Sequence, residues 1–206
     1  MSLLIFYLNN FMRVFIAVLV LIFSLQSLTK ADDISDFQIE RMSIGDSLLD
    51  YMTEKEIKTN ISETKFKKKN YIRITLWKEK NKNVKLYDYL QIYTKKKDDT
   101  FNISSLNGNV NYKNIKECLN NQNDILESLR IIFKDANFSD LEKKEHPGYK
   151  NVFTHTIYYD LKSGGGGKIG CIEPSKELRL ENYKDALKIT IANDEYNSWL
   201  QNEAYK

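Results

Sequence analysis

The sequence predicts an α+β fold in which a mostly antiparallel sheet accompanies one long central helix, short N-terminal helices and a C-terminal helix. Three observations lead to this prediction. Apolar and polar residues alternate with the period of a strand in several segments of the 206-residue chain. One long segment instead has apolar residues at helical spacing. Clusters of glycine, asparagine and proline separate these segments, as is typical of turns.

The first 31 residues are predicted to be a secretory signal peptide and not part of this fold. Arg13 precedes a ten-residue apolar run, Val14 to Phe23, and Thr29 and Ala31 place small residues at the minus-three and minus-one positions of a cleavage site. A membrane span needs about 20 apolar residues, more than this run contains. We therefore expect cleavage after Ala31, no stable membrane insertion of the mature chain, and a periplasmic or secreted location.

Cleavage leaves residues 32–206, a length that suits a single α+β domain with its own core. Polar residues upstream of Met12 favour Met12 as the true start of translation. The full chain has a formal charge of +3, and removal of Arg13 and Lys30 with the signal peptide lowers it to +1. Such a balanced charge argues against a dedicated nucleic-acid-binding protein.

Two short helices are predicted at the start of the domain. Asp46 can cap the first, from Ser47 to Tyr51, and Thr53 has the spacing of a capping box for the second. The lysine-rich stretch from Asn60 to Asn70 is predicted to be a surface loop.

An antiparallel meander is predicted next. Residues 71–78 and 85–94 alternate between apolar and polar positions, which indicates two half-buried strands. Residues 100–112 are also strand-like, but Asn107-Gly108-Asn109 predicts a bulge or a tight turn within them.

The second half of the chain is predicted to contain the long helix, three further strands and the terminal helix. Asn114 and Glu117 have capping-box spacing at the start of the long helix, whose apolar stripe extends to Phe133. A loop is predicted over residues 134–149. The strands are predicted at 151–161, 168–172 and 186–192, and Asn193 or Asp194 can cap the last helix.

The two cysteines, Cys118 and Cys171, are predicted to form a disulfide because an exported protein is exposed to an oxidising compartment. Cys118 lies in the apolar stripe of the long helix, and Cys171 shares a strand face with Ile169, so both sulfur atoms are expected to face the core. The alternative is a small hydrolase or thiol enzyme in which Cys171 is the nucleophile and His155 is its base.

An aromatic and cationic sheet face is the candidate binding site. It requires the first two strands to pair in register, and its members are Tyr71, Arg73, Trp77, Tyr87, Tyr89 and Tyr93. Such a face would bind an envelope or periplasmic protein partner, or an anionic glycan or lipid headgroup. The pattern leaves a second interpretation open, in which a helix covers this face and makes its residues part of the core.

No residue is predicted to be catalytic, to bind a cofactor or to ligate a metal. Residues Gly165 to Gly170 match Gly-x-Gly-x-x-Gly, but β-forming residues follow where a dinucleotide site requires a helix. His155 lies among apolar and aromatic residues of a strand and is predicted to be structural. The sequence therefore favours a periplasmic, non-enzymatic binding or envelope-interaction domain, with the thiol enzyme and a soluble small-ligand carrier as alternatives.

Two segments carry a resemblance to other proteins. The first is Ile44 to Tyr51, IGDSLLDY, followed by Glu54 and Glu56, and the second is Asn193 to Leu200, NDEYNSWL. Together they resemble a group of small exported proteins from AT-rich marine alphaproteobacteria, and the resemblance extends over most of the mature chain. It implies export and no catalytic residue.

Overall fold

The computed structural model describes residues 34–146 and 149–206. The predicted signal peptide lies outside the described residues. Within them, four helices accompany a nine-stranded antiparallel sheet, which confirms the predicted α+β fold. No helix of this part of the chain is long and apolar enough to span a membrane.

The helices are α1 (Glu54–Thr59), α2 (Ile115–Ile132), α3 (Lys176–Leu180) and α4 (Asp194–Asn202), and 3₁₀ turns occur at Ile34–Asp36 and Leu48–Asp50. The strands are β1 (Ile61–Ser62), β2 (Tyr71–Trp77), β3 (Tyr89–Lys95), β4 (Ile103–Tyr112), β5 (Asn137–Phe138), β6 (Glu142–Glu145), β7 (Phe153–Asp160), β8 (Gly166–Glu173) and β9 (Asp185–Ala192).

The sheet joins two antiparallel halves along its centre. Its strand order is β1-β2-β3-β4-β9-β8-β7-β5, and β6 also pairs with β7. The central pair, β4 and β9, comes from opposite halves of the chain, with Gly108 opposite Ile189. Helix α2 connects the halves and packs against β8, β9 and β4.

The α2 face of the sheet forms the main hydrophobic core. Leu90 on β3, Ile189 on β9 and Ile169 on β8 are almost fully buried there, together with Leu129 of α2. Asn114 caps α2 by accepting a hydrogen bond from the Glu117 amide. Because strand residues alternate between faces, the intervening polar residues of these strands lie on the other side, called here the second face.

The predicted disulfide is present and attaches the first turn of α2 to β8. The Cα atoms of Cys118 and Cys171 are 6.0 Å apart. One turn further along α2, the buried Gln122 amide donates to the backbone carbonyls of His155 at 2.8 Å and Ile169 at 2.9 Å. The start of the helix is therefore held to the sheet by one covalent and two hydrogen-bonded contacts.

Two local predictions near the N-terminus have different outcomes. The capping box of α1 is confirmed, since Thr53 accepts from the Glu56 amide and the Glu56 carboxylate accepts from the Thr53 amide. The preceding helix is shorter than predicted and its cap is Ser47, not Asp46. Asp46 instead accepts hydrogen bonds from the Ser43 amide and the Tyr51 hydroxyl.

Segments predicted to be irregular contribute regular structure. No turn interrupts Asn107 to Asn109, which lie within the continuous strand β4. The irregularity occurs instead where β3 pairs with β4, between Tyr93 and Thr94. The loop predicted over residues 134–149 contains β5 and β6, and α3 lies between the strands predicted at 168–172 and 186–192.

Gly108 is required because the ring of Tyr87 packs against it. A Cβ at this position would overlap the ring, and Tyr87 is only 4% exposed, so the ring has little room to move. We expect Gly108→Ala to lower the free energy of unfolding by about 2 kcal/mol, the usual cost of overpacking. Denaturant titration measures this loss.

Gly170→Ala is the matched control, since Gly170 also lies within a central strand. A Cβ added at Gly170 would meet Thr156 Oγ1 at 3.0 Å and no other atom closer than 3.7 Å. We expect a smaller loss of stability from this change. Equal losses for the two variants would contradict the role given to the Tyr87 ring.

Candidate functional site

Five of the six residues predicted to form an aromatic and cationic face lie on the second face of the sheet. In the register of β2 with β3, Arg73 is opposite Tyr93 and Trp77 is opposite Tyr89. Tyr71, at the start of β2, shares their face. Tyr87 does not, because it precedes β3 and its ring is buried in the core against Gly108.

Helix α4 divides these residues into two environments. Tyr71 and Tyr93 are buried beneath it, with ring centroids 5.0 Å and 5.2 Å from that of Tyr196. Trp77 remains 45% exposed and its ring centroid lies 4.7 Å from that of Tyr89. A helix therefore covers one part of the predicted face and leaves the other accessible.

Beyond α4, the second face carries polar side chains across the centre of the sheet, and many of them are buried. One row of paired residues runs Thr75, Gln91, Asn107, Thr190, Lys168, and the next runs Tyr89, Asn109, Lys188, Gly170, Thr156. We call these two rows, together with Arg73, the polar floor. Their burial is informative, because asparagine and threonine side chains are mostly exposed in folded proteins.

Neutral groups form a hydrogen-bonded network within the polar floor. Thr190 Oγ1 donates to Asn107 Oδ1 at 2.6 Å, and Asn107 Nδ2 donates to the backbone carbonyl of Gln91 at 2.9 Å. Lys188 Nζ donates to Gln91 Oε1 at 3.0 Å. The network fixes side chains from β3, β4 and β9 in place.

Three cations lie in the polar floor. Lys168 and Lys188 are diagonal neighbours on β8 and β9, since Lys168 is opposite Thr190 and Lys188 is opposite Gly170. In the described part of the chain, neither lysine forms an ion pair with a carboxylate. The Arg73 guanidinium donates to Ser62 Oγ at 2.9 Å and to the backbone carbonyl of Glu63.

The surroundings of the two lysines disfavour their charged forms. Burial, followed by the positive charges of Lys168 and Arg73, lowers the pKa of Lys188 to about 7. Burial also lowers the pKa of Lys168. Both side chains nevertheless remain partly accessible to water. The two lysines are therefore half-buried on the second face.

Segments from opposite edges of the sheet meet above the polar floor. Lys65 follows β1 at one edge and Tyr149 follows β6 at the other, yet Lys65 Nζ lies 3.6 Å from the centroid of the Tyr149 ring. Between β6 and Tyr149, burial and the nearby charges of Lys168 and Lys188 lower the pKa of His146. His146 therefore lies within range of the charges of both lysines.

The residues of the thiol-enzyme alternative, Cys171 and His155, lie on the α2 face of the sheet. His155 is directly opposite Cys171 in the register of β7 with β8. Both cysteines of the chain are in the disulfide, so no thiol is present. His155 Nε2 lies 3.1 Å from Glu173 Oε2, and this hydrogen bond, followed by that from Lys143, lowers the pKa of Glu173.

The glycine run is explained by the geometry of the β7–β8 hairpin. Gly165 has a φ of 75° in the turn, and its amide donates to Asp194 Oδ1 at 2.6 Å. A Cβ at Gly167 would overlap the Thr190 carbonyl and the Tyr159 ring. Strand β8 continues through Gly170 without a helix, so these amides are not arranged as a dinucleotide-binding turn.

Sequence reasoning missed Lys168, Lys188 and His146 as site residues. A signal was present for Lys188, because it alternates with the apolar residues Leu187 and Ile189 and so must occupy the second face. The alternation of residues along the sequence does not indicate that β9 pairs with β4. That pairing brings lysines from the second half of the chain next to residues from the first.

Comparison with known proteins finds no relative. No protein-family model, no curated protein and no solved structure matches this chain. The function is therefore argued from the polar floor and its chemistry.

Proposed function

We propose that the protein is an exported, non-enzymatic binding protein that holds a small anionic ligand on the polar floor. The observation that carries this proposal is that Lys168 and Lys188, diagonal neighbours on adjacent strands, are half-buried with no carboxylate partner in the described part of the chain. Like charges removed from water are unfavourable unless an opposite charge compensates them. A bound anion supplies that charge.

The neutral groups around the lysines suit the same role. Asn107, Asn109 and Thr190 are buried beside the lysines and hydrogen-bonded within the fold, and none of them adds a negative charge that would repel an anion. Charge-assisted hydrogen bonds of the lysines to the anion would be the strongest contacts. The polar floor therefore favours a carboxylate or phosphate group over a neutral sugar or a cation.

Aromatic rings flank the cations and suit an apolar part of the ligand. Trp77 and Tyr89 pack together at one end of the polar floor. Tyr158 lies beyond its other end, 42% exposed, with Lys168 Nζ 6.0 Å from its ring centroid. A ligand that combines an acid group with a planar or apolar body would contact both kinds of residue.

The predicted export and the disulfide support a location outside the cytoplasm. Disulfides persist in the periplasm and in secreted proteins, where thiol-reducing systems are absent. A binding protein in the periplasm would carry a small metabolite, or present its acid-binding surface to an anionic envelope component. The first role fits the polar floor better, because the contact of Lys65 with Tyr149 restricts access by a large partner.

Titration calorimetry with 1-naphthoate and its uncharged analogue 1-naphthamide tests this proposal. The two probes share a ring system and differ in charge. We expect naphthoate to bind about tenfold or more tightly, since one charge-assisted hydrogen bond contributes about 1.5–3 kcal/mol. The Lys168→Met/Lys188→Met double variant should lose this preference for the acid.

Lys95→Met is the matched control. Lys95 also lies on the second face, opposite Tyr71, but it is exposed and forms an ion pair with Glu195 at 2.7 Å. Its removal should leave the affinity for naphthoate unchanged. Equal affinities for naphthoate and naphthamide, or full binding by a folded Lys168→Met/Lys188→Met variant, would contradict the proposal.

A further inference from the structure

Lys188 has an unusual position for a lysine, at the centre of the nine-stranded sheet. It lies on β9, between Asn109 of β4 and Gly170 of β8. Gly170 has no side chain, so no side chain of β8 lies directly opposite Lys188. Lys188 itself remains half-buried and not fully enclosed, so a ligand can reach its amine.

The hydrogen bond that Lys188 donates leaves its nitrogen able to react. Its partner is the neutral amide oxygen of Gln91, at 3.0 Å, which accepts an N–H from the amine as well as from the ammonium. A carboxylate in this position would instead hold the proton on the nitrogen. The neighbouring cation Lys168 acts in the opposite direction, because a second positive charge disfavours protonation of Lys188.

We propose that the ligand of the polar floor is an oxo acid, whose carbonyl carbon forms a reversible imine with Lys188 while Lys168 binds its acid group. This inference rests on the proposed anion-binding function and names the class of ligand. Diagonal neighbours on adjacent strands are within reach of long side chains. One small molecule can therefore contact both lysines.

The chemistry requires no other reactant. The nitrogen lone pair of the neutral Lys188 amine attacks the carbonyl carbon and forms a C–N bond. The carbonyl oxygen then leaves as water with the two hydrogens that the amine nitrogen loses, and a C=N bond remains. No electrons are transferred, so no oxidant or reductant is needed, and hydrolysis releases the ligand unchanged. A reversible imine is thus compatible with a carrier.

Reductive trapping tests this proposal. The protein is incubated at pH 7 with glyoxylate and cyanoborohydride, and peptide mass mapping locates the reduced adduct. We expect one dominant adduct, at Lys188, formed about tenfold or more faster than at the exposed Lys95, because a larger fraction of the Lys188 amine is neutral. Propanal, an aldehyde without an acid group, should label Lys188 more slowly than glyoxylate.

Two variants separate the roles of the lysines. Lys188→Arg keeps a positive charge but has no nucleophilic amine, so the dominant adduct should disappear. Lys168→Met should slow labelling of Lys188 by glyoxylate and leave labelling by propanal much less affected, since only glyoxylate has an acid group to bind. Circular dichroism confirms that both variants are folded.

The outcomes distinguish this inference from the proposed function. Equal labelling of Lys188 and Lys95 would overturn the imine, while naphthoate binding, measured separately, would still support the anion site. Selective labelling of Lys188 by propanal and glyoxylate alike, without naphthoate binding, would overturn both the acid-binding role of Lys168 and the proposed function. Rapid labelling of Lys188 by glyoxylate, with slower labelling by propanal, would support both the imine and the anion site.

Discussion

Replacement of both Cys118 and Cys171 by alanine is expected to lower the free energy of unfolding substantially. The bridge joins residues 53 positions apart, and closing a loop of this length stabilises a protein by roughly 4 kcal/mol in the chain-entropy model. Domains are stable by only about 5–15 kcal/mol, so the loss is a large share of the total. Urea titration of the oxidised protein and the double variant measures it.

Reduction of the unmodified protein provides an independent control. A thiol reductant should lower its stability by an amount similar to the double substitution, and should leave the Cys118→Ala/Cys171→Ala variant unaffected. Ser128→Ala is a matched substitution on the exposed side of α2, where Ser128 Oγ donates only to the Asp124 carbonyl within the helix, and its effect should be small. Equal stabilities of the oxidised and reduced protein would show that the bridge contributes little.

The elements predicted correctly are those determined by nearby residues. The Thr53 and Glu56 side chains cap α1 through bonds within one helical turn, and the alternation of β2 separates Ile74 in the core from Arg73 on the second face. Strand β6, with the sequence EKKE, has no alternation to detect. It is a strand because its backbone pairs with β7, from Glu142 opposite Thr156 to Glu145 opposite Phe153.

The site was predicted in part for the same reason. Trp77 and Tyr89 come from neighbouring strands joined by a short connection, so parity alone suggested that they share a face. Tyr87 has the same parity, but the chain is not a strand there, because the Glu40 carboxylate accepts hydrogen bonds from the amides of residues 85–87. This distant contact directs the Tyr87 ring into the core. Local pattern could not indicate it.

Lys188→Met is expected to stabilise the protein below neutral pH, which is unusual for a substitution at the centre of a sheet. The unfolded chain has a lysine pKa of about 10.4, whereas the pKa of Lys188 in the folded protein is lowered to about 7. Below pH 7 the Lys188 amine is charged in both the folded and the unfolded protein. Only the folded protein buries this charge, and that burial is unfavourable. Methionine removes this penalty, so we expect a gain of about 2 kcal/mol at pH 6.

The gain should depend on pH with a definite sign. Between pH 7 and about 10.4 the unfolded state of the unmodified protein binds more protons than the folded state, so its free energy of unfolding rises with pH. The advantage of Lys188→Met should therefore shrink from pH 6 to pH 9 in denaturant titrations. Lys95→Met, which removes an exposed and paired lysine, should show no comparable change. A pH-independent effect of Lys188→Met would contradict the lowered pKa.

This stability penalty bears directly on function. Burial makes the charge of Lys188 unfavourable at the centre of β9, and a bound anion would compensate that charge on the polar floor. Naphthoate should accordingly stabilise the unmodified protein more at pH 6 than at pH 8, since Lys188 loses its charge over this interval. Lys188→Met, which keeps Lys168 as the cation for the acid group, should gain less from naphthoate than the unmodified protein at pH 6. The same titration thus measures the energetic cost of the lysine and its compensation by the ligand.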